Sequence, residues 1–510
     1  MSPIRLCLLL ACLAASVDAR RPNILIILCD DLGYSDLGCY GGEIRTPNLD
    51  ALAGGGVRFT RFHNTSKCWT TRATLLTGRY WQAAAPDKFI KASVPTLPEL
   101  LRASGYRTSM SGKWHLSPGH YKVREQLPAA RGFEKYFGTL HGATSYYDPF
   151  TLTRGFEPVQ APRNGEFYYT DAISEDAAAN LRDHARRHPE APFFMYVAYT
   201  APHWPMQARP EDIAKYRGTY AAGWQALREQ RFAKMQRLGV IPANARLTPP
   251  NAKAKDWKEV DRRWEAARME VYAAMVDRMD QGVGRIVAAL RETGQLDDTL
   301  LLFMSDNGAS PENIGTGNAR GCLGGQTQTR EGDEIQVGYG PGVPPGPETT
   351  FQGYGPSWAN ASCTPFLWWK ATSHEGGTAS PFIAHWPNGI SERGTINHRD
   401  FAHLIDLLPT CLDAAQAEAA PTDGVSLLPT LRRNRAMPVR TVFNEFGNKG
   451  FVHEGRWKLT SLNVKKGQWE LFDLAADPVE MSDLAAVEPG RFAAMKQAFS
   501  DWQAGLKQIR

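Results

Sequence analysis

Four short segments of this 510-residue chain carry side chains that could act on an anion: Asp30-Asp31, Cys68 to Arg72, Gly112-Lys113-Trp114-His115 and Asp306-Asn307-Gly308. Three acids and an amide offer the oxygen ligands that hard cations prefer. Such a mixed set suits calcium better than zinc, which would want imidazole or thiolate. Cys68 precedes a helical run, and a group at a helix N-terminus faces unpaired N–H donors, a good place for negative charge. Arg72 lies one turn further in. Together these residues describe one oxyanion-binding metal site. Plainer roles stand beside that reading: adjacent acids and Asp-Asn-Gly also cap and turn the chain, and a lone cysteine also serves as a small buried hydrophobe.

The elements that must position them are legible in outline. Asn23 to Cys29 is a continuous apolar run ending in two aspartates, as in a strand covered on both faces. Thr46-Pro47 predicts a helix start and Gly54-Gly55-Gly56 its end. Thr96 to Ser104 predicts a second short helix, stopped by Gly105, and Tyr106 to Ser111 a strand delivering Lys113 and His115. Phe193 to Tyr199 reads as another buried strand, followed by Thr200-Ala201-Pro202-His203-Trp204-Pro205. Val271, Met275, Met279, Val283, Ile286 and Leu290 form one stripe of a long helix, and Leu300 to Ser305 is the next strand. Acids, amides or histidines recur just after strands, the edge at which open α/β sheets bind ligands.

Residues 210–261 are polar and predict a helical lid or side insertion. Residues 324–356, rich in glycine and proline, predict a loop bordering the pocket. From about Met437, short alternating runs predict a small antiparallel sheet, closed by a helix from Pro489 to Lys507. Six cysteines follow residue 19, at 29, 39, 68, 322, 363 and 411, with no CxxC pair. Cys29 reads as a buried hydrophobe. Cys322 and Cys363 flank the glycine-rich loop, and export would permit a disulfide between them.

Arg5, the apolar run Leu6 to Ala15 and Val17-Asp18-Ala19 predict a signal peptide, residues 1–19. That run is short for a permanent anchor, the alternative reading, and no later segment could cross a membrane. An exported protein, periplasmic or secreted and without stable membrane insertion, is expected. The net charge of +5 comes with no basic block, which gives nucleic-acid binding no support.

Taken in order, these segments resemble the type I sulfatase family. Its motif Cys-x-Pro-Ser/Thr-Arg, followed by a helix ending Thr-Gly, is matched by Cys68, Thr71, Arg72 and Leu75-Leu76-Thr77-Gly78, with Thr70 where the family has proline. Gly105 to His115 matches a second motif, Gly-Tyr-x-Thr-x-x-x-Gly-Lys-Trp-His, throughout. Ala201 to Pro205 and Asp306 to Gly308 match two more segments. Lys370 stands five residues before Glu375-Gly376-Gly377, as the family's second lysine does. Trp469 to Leu474 looks like the C-terminal segment, and residues 215–242 are most similar to bacterial arylsulfatases.

The resemblance implies an alkaline-phosphatase-like α/β fold: a mixed, mostly parallel sheet flanked by helices in a catalytic part, residues 20–436, and a small α+β part, residues 437–510. It implies hydrolysis of sulfate monoesters, aryl or carbohydrate. A maturation enzyme is expected to oxidise Cys68 to formylglycine, whose hydrate attacks sulfur. Asp30, Asp31, Asp306, Asn307 and residue 68 are expected to hold one divalent cation, Ca2+ or else Mg2+. Arg72 would orient residue 68, while the cation, Lys113 and Lys370 neutralise the sulfate oxygens. His203 would protonate the leaving group, and His115 would help to deprotonate the second hydroxyl. Two rival readings are a phosphonate or phosphate ester hydrolase on the same fold, and a silent binder of sulfated glycans, the latter prompted by Thr70.

Overall fold

The computed structural model describes residues 21–163, 166–315, 321 and 323–509. The expected signal peptide and Cys322, with its pairing to Cys363, lie outside the described residues.

The apolar run Asn23–Cys29 is the centre of an eleven-stranded sheet. It pairs in parallel with Phe193–Ala198 on one side and Thr299–Ser305 on the other. Arg107–Gly112 and Lys135–Thr139 continue the parallel run beyond Phe193–Ala198. On the opposite flank, Ala379–His385 lies antiparallel to both Thr299–Ser305 and Val57–His63. Val57–His63 therefore points the same way as the central strands, and Ala379–His385 begins where they end. The sheet is mixed and mostly parallel, as expected.

Alternation along the central strand explains its unbroken hydrophobicity. Leu25, Ile27 and Cys29 enter one apolar cluster, and Ile24, Ile26 and Leu28 the other. The first cluster is covered by the long helix Arg262–Glu292 and by Tyr169–Arg187. The predicted stripe from Val271 to Leu290 is buried in it throughout. The second is covered partly by the helix Cys68–Thr77, through Ala73, Leu75 and Leu76. The helix Leu97–Ala103 starts at a capping box between Thr96 and Glu99, as the threonine before Leu-Pro-Glu predicts.

Two expectations need correction in detail. The insertion is helical only at Pro210–Ala214, Gly223–Arg237 and a short turn at Trp257–Glu259. Residues 238–256 are irregular, because Gly239, Pro242, Pro249 and Pro250 deny a helix its backbone bonds. In the glycine-rich loop, Gln336–Val337 and Thr350–Phe351 pair as a two-residue parallel ladder, and the helix Gly355–Ser362 starts inside the predicted loop.

The insertion braces the site from outside. Buried Arg231 of the helix Gly223–Arg237 pairs with Asp36 at 2.6 Å and Glu43 at 2.7 Å. Asp36 in turn accepts from the Gly33 N–H and the Tyr272 hydroxyl, each at 2.7 Å, which fixes the turn that follows Asp30-Asp31.

A four-stranded antiparallel sheet, Thr441–Phe446, Lys449–Glu454, Trp457–Asn463 and Gln468–Asp473, carries the helix Pro489–Ile509 across it. Its Lys458, fully buried, reaches Glu375 at 2.5 Å and Glu480 at 2.9 Å. Glu375 also meets His63 at 2.8 Å. This buried cluster ties the small sheet to the edge of the large one. No described helix is long and apolar enough to cross a membrane.

Removing one member of a buried charge network leaves the others unpaired, at a cost of about 3–5 kcal/mol. Arg231→Ala is therefore expected to destabilise the fold by that amount, read as a lowered urea midpoint. A loss below about 1 kcal/mol, typical of exposed ion pairs, would show that the brace carries little load.

Candidate active site

Every predicted site residue belongs to one edge of the large sheet. Asp30-Asp31, Lys113-His115, His203 and Asp306-Asn307 follow the ends of four parallel strands. Cys68 follows Val57–His63, and Lys370 precedes Ala379–His385, which starts at this same edge. Gly112 makes the exit to Lys113 possible: its φ is 119°, and a Cβ there would strike the Ala198 carbonyl. Asp31 and His115 adopt left-handed φ values of 67° and 60°, a strain of about 1–3 kcal/mol each that surrounding bonds must hold.

The carboxylates and cations interlock. Lys113 Nζ donates to Asp30 Oδ2, and the Arg72 guanidinium donates to Asp306 Oδ2 at 3.1 Å and to the Lys113 carbonyl at 2.8 Å. Lys370 Nζ lies 2.7 Å from Asp31 Oδ1 and 2.8 Å from Oδ2, and Asn307 Nδ2 donates to Asp31 Oδ1 at 2.6 Å. Arg72 and Lys113 are fully buried. The Thr71 hydroxyl donates to the Asp306 carbonyl at 2.7 Å, locking the first turn of the helix onto the exit of Thr299–Ser305.

Cys68 is the first residue of its helix and is 2 % exposed. Ligand atoms of Asp30, Cys68 and Asp306 all lie within 4.8 Å of one another, as do those of Asp30, Asp31 and His203. Thr70, in the same first turn, fits where a proline would: an N–H there has no partner inside the helix. Its hydroxyl instead donates to the Lys67 carbonyl at 2.7 Å and pairs with the Thr65 hydroxyl at 2.6 Å.

Charge states follow from this crowding. Burial alone would raise the Asp30 carboxyl, but Lys113, with His203, Arg72 and Lys370, holds it well below the carboxylate range. Burial and the Asp30 charge push Asp306 up to about 8 despite Arg72. Burial works against the Lys370 ammonium, yet Asp31 and Glu312 outweigh it and raise its pKa. Burial takes His203 down to about 4, against the pull of Asp31. Its Nδ1 donates to the Trp204 carbonyl at 2.7 Å, which leaves Nε2 facing Asp31 Oδ2 at 3.4 Å. The Tyr146 hydroxyl donates to the His203 carbonyl at 2.8 Å and steadies that turn. His115 is driven well below 6.5 by burial and then by Lys113 and Arg72.

The donor set suits a hard divalent cation. Asp30 Oδ1 and Asn307 Oδ1 are buried without a hydrogen-bond partner, beside Asp31 and Asp306. Buried acceptors left unpaired are costly unless something positive meets them. Carboxylate and amide oxygens are the ligands that hard divalent cations prefer.

Glu312, like Tyr146, carries no mark in the sequence. Glu312 lies 3.9 Å from Lys370 and 3.6 Å from Lys67, and accepts a hydrogen bond from Trp204 Nε1. It sits in irregular chain after Asp306-Asn307, where no periodicity marks it. His374 faces Glu470 at 3.0 Å, part of the small sheet's contact with the large one.

Comparisons with known proteins agree with this geometry. The Sulfatase family profile matches residues 22–417, and a profile for the C-terminal part of N-sulphoglucosamine sulphohydrolase matches residues 366–500. An arylsulfatase of Klebsiella aerogenes is 32% identical over 82% of this chain and 91% of its own length. An uncharacterised sulfatase of Schizosaccharomyces pombe is 32% identical over 92% and 91%. Human arylsulfatase A is 29% identical over 94% and 83%. Among solved structures, Ps i-CgsB superposes with a TM-score of 0.68 at 24% identity, covering 94% of this chain and 92% of that one. An edge of this kind on this sheet, carrying acids, buried lysines and a helix-borne cysteine, defines an ester hydrolase of the alkaline-phosphatase-like fold. The chain belongs to the type I sulfatase family and is a sulfuric ester hydrolase.

Calcium added to chelator-treated protein is expected to raise the thermal midpoint, the gain reaching about 2.7 kcal/mol at a hundredfold excess over Kd. Asp306→Ala should abolish that response. A midpoint indifferent to both chelator and calcium would refute the cation site.

Proposed function

We propose that the protein hydrolyses sulfate monoesters, aryl or carbohydrate, with residue 68 as the nucleophile after its oxidation to formylglycine, and with Asp30, Asp31, Asp306 and Asn307 holding a calcium ion. The observation that carries this reading is the meeting of Cys68 with Asp30 and Asp306 inside 4.8 Å, ringed by Arg72, Lys113 and Lys370. Three carboxylates here face three fixed cations. The calcium ion, when bound, leaves the pocket net positive and supplies Lewis-acid polarisation of a sulfate oxygen. Residue 68, once oxidised and hydrated, would offer the hydroxyl that attacks sulfur.

The chain's own residues do the rest. Lys113 and Lys370 are held by Asp30 and Asp31 with their ammonium groups fixed in place. They stabilise charge that shifts among the sulfate oxygens, at no reorganisation cost. Arg72, clamped on Asp306 and the Lys113 carbonyl, presents a guanidinium whose charge is felt at residue 68. The Trp204 carbonyl fixes the His203 tautomer, so that Nε2 is the position at which a proton is carried or lost. The ester brings negative charge against that ring. This favours a protonated Nε2, ready to donate to the leaving oxygen. His115, held neutral by burial and then by Lys113 and Arg72, would accept the proton of residue 68's second hydroxyl as sulfate leaves.

The relatives' names extend to aryl and sugar sulfates: arylsulfatase A and N-acetylgalactosamine-6-sulfatase from human, and BT4656 solved with D-glucosamine-2-N,6-O-disulfate. Export to the periplasm or medium fits the signal-like N-terminus and supplies sulfated glycans as substrates. A formylglycine-generating enzyme is the required maturation partner. Thr70 in place of proline changes the motif that this enzyme reads but leaves the folded helix intact.

Mass spectrometry of the peptide containing residue 68 is expected to show a species about 18 Da below the thiol form. Cys68→Ala should cut kcat/KM on 4-nitrophenyl sulfate by about four orders of magnitude or more. A wholly thiol-form protein that still turns over sulfate esters would refute the nucleophile. His203→Ala should lower kcat about 10²–10⁴-fold, and more severely for alkyl sulfates than for nitrophenyl sulfate, whose leaving group needs little help. Equal losses on both would remove His203 from the role of acid.

A further inference from the structure

Beside the sulfate pocket lies a cleft of about 400 Å³, lined by Lys253, Glu312, Trp368, Lys370 and Lys449 among others. It adjoins the catalytic edge, because Lys370, which lines it, also pairs with Asp31. Its walls come from three parts of the chain. Lys253 belongs to the irregular half of the insertion, Trp368 to the approach to Lys370, and Lys449 to the small C-terminal sheet.

The charge in this cleft is lopsided. Glu312 is the only acid among its described lining residues, and Lys67, Lys370 and the Trp204 indole already engage it. The exposed Lys253 ammonium has no partner among the described residues. Lys449 Nζ donates only to the Ala371 carbonyl, at 2.5 Å. Neither lysine forms an ion pair with a carboxylate among the described residues, and half-buried Lys449 is disfavoured as a cation by burial and then by Lys253 and Lys67. A fold gains nothing by setting Lys253 and Lys449 around one hollow without an acid partner for either, since each repels the other. Filled by an anion, the same arrangement becomes favourable. Trp368, half-buried between Trp369 and His374, adds an aromatic face of the kind that packs on sugar rings.

We propose that this cleft is a second anion subsite, and that the physiological substrate is a polyanionic glycan. One sulfate would enter the catalytic pocket while a further sulfate or carboxylate on the same or a neighbouring sugar lies between Lys253 and Lys449. The proposal rests on the sulfatase reading and names the substrate class for that site. A singly charged aryl sulfate fills only the first pocket, so it reports on the chemistry and not on this cleft.

The test measures binding of a heparin-derived tetrasaccharide by isothermal titration to the Cys68→Ala protein, which needs no turnover. Lys253→Gln and Lys449→Gln together are expected to raise Kd about tenfold or more, a loss of about 1.4 kcal/mol, and to weaken its dependence on salt. Because Lys449 also holds the Ala371 carbonyl, Lys253→Gln alone must weaken binding measurably, and Lys253→Arg with Lys449→Arg must restore most of it. Equal affinity in parent and Gln variants, or no binding by the parent, overturns the subsite. Turnover of 4-nitrophenyl sulfate by the protein with Cys68 intact is measured separately. Its absence sinks the sulfatase mechanism and leaves the binding result to stand or fall alone.

Discussion

Charge crowded out of water governs this molecule. Asp30, Asp31 and Asp306 are buried together at one sheet edge with Arg72, Lys113 and Lys370, and neither set could remain ionised there without the other. The cost of that burial is visible in Asp306, pushed to about 8, and in the partnerless oxygens of Asp30 and Asn307. A divalent ion held there would answer both at once, and would shift the balance of the pocket toward positive, as a receptor for an ester anion requires.

Topology makes the crowding possible. Parallel strands end together, so residues far apart in sequence arrive at a single edge without any long excursion. The antiparallel Ala379–His385 brings Lys370 in from the opposite chain direction, allowing a lysine to approach Asp31 from the side that the parallel loops leave open. Left-handed backbone at Asp31 and His115, two and three residues beyond the ends of their strands, breaks the extended course of the chain at this edge.

Much of this was legible in the sequence. Unbroken apolar runs followed by acids, as at Cys29-Asp30-Asp31 and Ser305-Asp306-Asn307, mark buried strands that stop at a polar site. Motif spacing added Lys113, His115, His203 and Lys370, and the structure places all of them at the same edge. Glu312 and Tyr146 escaped notice because each acts through a loop conformation that no period encodes. The polarity of residues 238–256 suggests helix, but their prolines and glycine exclude it. Lys253 and Lys449 look like ordinary surface lysines in the sequence; only the fold brings them around one hollow.

The seam at Lys458 has an implication for how such proteins diversify. Glu375 immediately precedes the glycine pair leading into Ala379–His385, and it shares Lys458 with Glu480 while also meeting His63. A C-terminal module borrowed from a relative without a cation at that position would strand a carboxylate in the dry interior, directly behind the loop that bears Lys370. The module is thus grafted to the catalytic edge electrostatically as well as by packing. Evolutionary change in its outward face, where Lys449 lies, is free to proceed only while that inner ammonium is kept.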